Sequence, residues 1–202
     1  MRRLALAQRL LIAMLVCITL ASGAEEIERG KLLVANEGLS EPNFDSTVVL
    51  IIGHNNMGTL GLIINRPFDD ASYLPVPDKY AGLFSDASRH FGGPVAVSGL
   101  RALVESEFTL PNSIYVMDSL YFLDNPSAFD YLLEEPAAMR EARLYRGISS
   151  WIPGQLAAEI RAGAWYLTDG DRELVFSDSS DIWEQLITKI HAKWVNITQS
   201  ND

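Results

Sequence analysis

Along the chain the rhythm of apolar and polar residues changes several times. Leu10 to Ala21 is an almost unbroken apolar run behind Arg2, Arg3 and Arg9. Thr47 to Ile52 and Thr59 to Ile64 are shorter runs rich in β-branched residues, separated by Gly53-His54-Asn55-Asn56-Met57-Gly58. A stretch of turn formers between two such runs predicts an antiparallel hairpin, and the near absence of polar residues within each run predicts strands buried on both faces. Strand patterns return at Arg101 to Glu105, Ser113 to Met117, Leu144 to Ile148 and Leu174 to Phe176. Helical signals fall between them. Pro126 opens a short helix over Ser127 to Leu133, and Leu156 and Ile160, four apart, mark one face of a helix over Gln155 to Ala162 that Gly163 is placed to end. Behind the capping pair Asp181 and Glu184, the residues Trp183, Leu186, Ile187, Ile190 and Trp194 recur at helical spacing and read as a core-facing stripe.

Arg66 to Ser88 has little periodicity and carries Pro67, Pro75 and Pro77. It predicts a long irregular excursion with a short helix near Tyr80 to Phe84, acting either as a packed surface loop or as a lid. Because strands and helices do not alternate regularly, the pattern predicts an α+β fold rather than a doubly wound parallel sheet. A chain of 202 residues and 22.4 kDa without linker or repeat makes one domain, read here as Glu25 to Asp202.

The first 24 residues hold three arginines and no acidic residue, and Ser22-Gly23-Ala24 follows the apolar run. This is the pattern of a signal peptide over residues 1–24, cleaved before Glu25 and leading to a periplasmic or secreted protein; an uncleaved anchor is the alternative. Cleavage would leave no stable membrane span. Cys17, the one cysteine, would leave with the leader, removing disulfides, thiolate zinc sites and cysteine nucleophiles from the mature chain.

Charge narrows the partners further. Sixteen basic against 26 acidic residues give −10, and losing three arginines leaves 13 against 26, or −13. Such a chain repels phosphate backbones, so no nucleic-acid partner is expected. No G-x-S-x-G, H-E-x-x-H or G-x-G-x-x-G motif occurs, and Thr59 stands where a phosphate loop needs lysine. His54, His90 and His191 show no metal-pair spacing, so neither a metal nor a cofactor is expected. The remaining candidates are ligand-binding rather than catalytic. His54 leaves a strand at a turn and His90 precedes Gly92-Gly93-Pro94, whose bare backbone fits either an anion nest or a tight crossing of strands. Asn65 ends the second hairpin strand, and Ser150 and Trp151 precede a helix start. Since Asn65 and His54 lie at opposite ends of a regular hairpin, about 20 Å apart at roughly 3.3 Å per residue, one tight cluster of all these groups is not expected. Asn196-Ile197-Thr198 also matches a glycosylation acceptor.

Several blocks together resemble the YqgE/AlgH family: Gly30-Lys31-Leu32-Leu33-Val34-Ala35 with Pro42, Phe44 and Ser46; His54, Gly58, Gly61 and Asn65-Arg66-Pro67; Gly92-Gly93-Pro94; and Trp151, Gly154-Gln155-Leu156, Glu159 and Ala164-Trp165. The resemblance spans about Glu28 to Ile190 and implies a compact α+β fold with a bifurcated, partly barrel-like mixed sheet surrounded by helices. It implies no established enzyme chemistry; family members are described as candidate transcriptional regulators and lack a recognisable DNA-binding module. The leader is an addition to that pattern. The expectation is therefore an exported non-catalytic binding or regulatory protein for an unidentified protein or small ligand. The alternatives are a cytoplasmic transcriptional regulator and an enzyme using a cleft between His54, His90 and Gly92-Gly93.

Overall fold

The computed structural model describes residues 26–177 and 181–199, with side chains as far as Lys193. The leader, the Trp194 side chain and the side chains of the Asn196-Ile197-Thr198 acceptor lie outside the described residues.

Two five-stranded sheets form the frame. The first runs β10 (Trp165–Asp169), β1 (Lys31–Ala35), β2 (Val48–Asn55), β3 (Gly58–Ile63), β9 (Ser149–Trp151), with antiparallel neighbours throughout. The second runs β4 (Ser88–Phe91), β8 (Glu141–Arg146), β5 (Ala102–Glu105), β7 (Leu120–Leu123), β6 (Ile114–Met117), and only β4 and β8 are parallel. One stretch joins the sheets: Glu141 to Trp151 supplies β8 to the second and β9 to the first, bending at Gly147, whose φ of 74° suits glycine. The forked sheet expected from the family resemblance arises from this bend.

Alternation along the strands sorts side chains into three cores. Leu32, Val34, Leu50 and Leu62 of the first sheet meet Leu103 and Phe122 of the second and Ile182 and Ile187 of helix α4 (Ile182–Gln199). The opposite face of the first sheet, with Leu33, Val49, Ile51 and Ile63, packs on Trp151, Trp165 and Leu156 of α2 (Gln155–Arg161). Beyond the second sheet, Val104 and Leu144 pack on Phe129 and Leu132 of α1 (Pro126–Glu134). A strand covered on both sides has no polar face, which is why its sequence reads as an apolar run rather than an alternation.

Two local expectations change and one pair of alternatives is decided. The hairpin is longer and tighter than its sequence suggests: β2 reaches Asn55, only Asn56 and Met57 turn, and a bulge between Ile51 and Gly53 absorbs the extra residue. Leu174 to Phe176 is not a strand. Asp171 accepts a 2.7 Å hydrogen bond from the Leu174 amide and starts a short helix, α3 (Arg172–Val175); this cap overrides a propensity carried by only a few apolar residues. The excursion from Arg66 contains 3-10 turns at Ala71–Tyr73 and Asp78–Tyr80 and buries Leu74, Tyr80 and Phe84 against α1 and the second sheet, so it packs as a cover. Among the described residues no helix is long and apolar enough to cross a membrane.

Candidate functional site

The first core does not close at the hairpin tip. Ile52 on β2, Leu60 on β3 and Ile114 on β6 belong to it or pack against it, and the same three side chains floor a cleft of about 410 Å³. Such a volume lies within the usual range for small-molecule sites. Arg29, His54, Ser150 and Trp151 stand around this floor. They come from three places in the chain: the segment before β1, β2 and β9. Arg29 precedes β1 and donates to the Tyr115 carbonyl at 2.8 Å, which ties it to edge strand β6. His54 pairs with Thr59 across the hairpin, and its Nδ1 is hydrogen bonded to the Thr59 hydroxyl at 2.7 Å. Trp151 opposes Thr59 and Ser150 opposes Leu60 on β9. Met57, 80% exposed at the turn, overhangs the mouth. A smaller cleft of about 260 Å³ lies across the hairpin, lined by Ile27, Pro153 and Leu156 and sharing His54 and Thr59 with the first.

The structure brings His54, Ser150 and Trp151 together and sends the other sequence candidates elsewhere. Asn65 accepts from the Val48 amide at 2.8 Å and donates to the Ser46 carbonyl at 2.9 Å, at the far end of the hairpin. Its neighbour Arg66 donates to the carbonyls of Asn43 and Asp45 at 2.9 and 2.8 Å. The pair thus ties the strand exit to the preceding loop. Gly92 accepts from the Ile63 amide at 3.0 Å, four residues along β3 from Thr59, so its backbone lies about 13 Å from His54 at roughly 3.3 Å per residue.

Gly92-Gly93-Pro94 marks the crossing of the two sheets. A Cβ on Gly92 would stand 2.5 Å from the Gly147 carbonyl, and one on Gly93, at φ 148°, would overlap the Ile148 carbonyl. His90 lies beyond that crossing, bridged to Pro67 and paired with Tyr145. It is 4% exposed, and its Nδ1 has no hydrogen-bond partner among the described residues. Burial, with the Arg143 guanidinium nearby, pushes its pKa down to about 3. Burial likewise pushes the Tyr145 phenol up to about 12. Arg143 itself is held by the carbonyls of Val175 and Ser177 at 2.7 and 2.8 Å.

A second polar assembly lies behind the cleft, on the other face of the first sheet. Glu159 Oε2 accepts from the indole nitrogens of Trp151 and Trp165 at 2.8 and 2.9 Å, and Oε1 accepts from Gln155 at 2.8 Å. Phe44 packs on both indoles. One carboxylate therefore fixes two tryptophans, and Trp151, 3% exposed, is held in the core on the opposite face of the first sheet from Leu60 and Ser150. Among the described residues no group of three His, Cys, Asp or Glu is placed to hold a metal ion.

Sequence reasoning missed Arg29 and Ile114, because one stands alone before a strand and the other on a short edge strand. Nothing local in the sequence links either to the hairpin tip.

The forked sheet flanked by helices, with its cleft at the hairpin tip and its Gly-Gly-Pro crossing, places the described residues in the mixed α+β class. The AlgH-like family model (DUF179) matches residues 32–195, and the chain belongs to that family. It is 32% identical over 167 residues to a UPF0301 protein of Chlorobium limicola, covering 81% of this chain and 87% of the relative. A UPF0301 protein of Chlorobium chlorochromatii is 34% identical, with 81% and 86% covered. Among solved structures, a crystal structure of a Corynebacterium diphtheriae protein superposes with TM-score 0.68 at 22% identity, covering 81% of this chain and 87% of that one. The solution structure of AlgH from Pseudomonas aeruginosa gives 0.57 at 24% identity, covering 73% and 80%. These structures share the fold.

Proposed function

We propose that this protein is an exported, non-catalytic binding protein whose ligand enters the hairpin-tip cleft. The observation that carries the reading is the open end of the first core: Leu60 and Ile114, from the two sheets, are only half-buried there, beneath a rim of polar groups. An apolar floor with a few convergent polar groups is the usual form of a ligand pocket. Export rests on the leader pattern at residues 1–24, and the net charge of −10 argues against duplex DNA as the ligand.

Native mass spectrometry of protein released from the cell envelope tests both parts. The expected species begins at Glu25 and carries a noncovalent ligand that is lost when Ser150→Trp fills the cleft. A chain beginning at Met1 recovered from soluble cytosol contradicts export. A ligand that survives Ser150→Trp contradicts the cleft.

A further inference from the structure

The lining of the cleft is unusual for this chain in its charge. The protein carries 26 Asp and Glu against 16 Lys and Arg, yet among the described residues neither cleft beside the hairpin is lined by a single carboxylate. Among the described residues Arg29 is the one Lys or Arg lining the larger of the two. Its guanidinium is pre-positioned by the bond to the Tyr115 carbonyl, so part of the entropy cost of ordering a long side chain is already met before any ligand arrives. His54, oriented by the 2.7 Å hydrogen bond between its Nδ1 and the Thr59 hydroxyl, adds a polar ring edge to the rim. Ser150 adds an exposed hydroxyl directly above Leu60. The floor offers no charge at all: Ile52, Leu60 and Ile114 are purely aliphatic.

Resting on the binding reading above, we infer that the hairpin-tip cleft recognises a small amphipathic anion, an aliphatic body with one carboxylate head. The body lies on Leu60 and Ile114, above the buried Ile52, and the head meets Arg29 with Ser150 and His54 at the rim. Elsewhere an acidic protein repels such a molecule, so the carboxylate-free rim is what lets the anion approach. A cationic amphiphile finds no counter-charge there, and a neutral one gains only the floor.

Titration calorimetry with decanoate, decanol and decyltrimethylammonium separates these terms, because the three share one chain and differ in head charge. The expected result for the wild type is decanoate binding at least tenfold tighter than decanol, with the cation weakest. Arg29→Gln should remove the preference for decanoate while leaving decanol unchanged, and Arg29→Lys should restore part of it. A thermal melt of each variant checks that the fold is intact, since Arg29 is exposed and its loss leaves the cores untouched. Equal affinity for all three chains, or a decanoate preference that survives Arg29→Gln, overturns the inference but keeps the cleft as a binding site. Absence of heat with every chain overturns the binding reading together with it.

Discussion

Replacing His90 with phenylalanine should change how stability depends on pH more than it changes stability at neutrality. His90 is 4% exposed, lies 5.5 Å from the Tyr145 ring and faces a nearby guanidinium, so the folded protein keeps it neutral. Its folded value near 3 stands against about 6.5 in the unfolded chain. The unfolded chain therefore binds the proton first. Stability attributable to a neutral His90 is complete above pH 6.5, falls as the pH drops, and levels off only below 3. By linkage the loss is about 2 kcal/mol at pH 5 and about 3 kcal/mol at pH 4, relative to neutrality. Urea unfolding of wild type and His90→Phe at pH 7, 5 and 4 reads this directly. The phenylalanine variant lacks the titration, so the difference between the two proteins should move in its favour by those amounts. Curves that stay parallel from pH 7 to 4 would refute the claim that His90 is buried and neutral. Because only the change with pH is used, any cost of fitting the phenylalanine ring cancels.

Three further outcomes follow from contacts at other places in the fold. Asn65→Ala should cost about 1 to 3 kcal/mol in a denaturant titration, because it strands the buried Val48 amide, whereas His54→Ala at the exposed tip should cost less than about 0.5 kcal/mol. Gly93→Ala should cost on the order of 3 kcal/mol or more, or prevent accumulation of folded protein, since its Cβ would overlap the Ile148 carbonyl at a φ of 148°. Arg172 bonds Glu105 and Glu141 at 2.5 and 3.1 Å, and those two carboxylates face each other across β5 and β8. Arg172→Ala should cost about 1 to 2 kcal/mol, a value kept modest because the arginine is partly exposed, and adding Glu105→Gln should recover part of it.

What the sequence made legible follows the range of the interactions. The hairpin, the helices after Pro126 and after Gly154, and the terminal helix are local patterns whose period or cap is written in consecutive residues. Short strands such as β4 and β7 left no such mark, since four residues are too few to show a period, even with Gly92-Gly93-Pro94 and Asp124-Asn125-Pro126 behind them. The role of Gly92-Gly93 was legible only as a pair of alternatives. Which one holds depends on Gly147, more than fifty residues away, passing against it. The candidate site divided in the same way. His54 and the pair Ser150-Trp151 meet because β3 lies between β2 and β9, a fact of topology. Asn65 stands at the end of its strand as the sequence suggests, and it ties the strand exit instead of joining the cleft because its partners Ser46 and Val48 stand where the neighbouring strand begins. Arg29 became visible only once β1 was set beside the second sheet, through its bond to Tyr115.

The site assignment itself is tested most directly by mapping decanoate binding onto the backbone amides of the chain from Glu25 by heteronuclear NMR. The account predicts that shifts changing with decanoate concentration fall on Arg29, Ile52 to Leu60, Ile114 and Ser150-Trp151, with Asn65, His90 and Gly92-Gly93 unmoved. Changes centred on His90 and the Gly92-Gly93 crossing, with the hairpin tip silent, would contradict it.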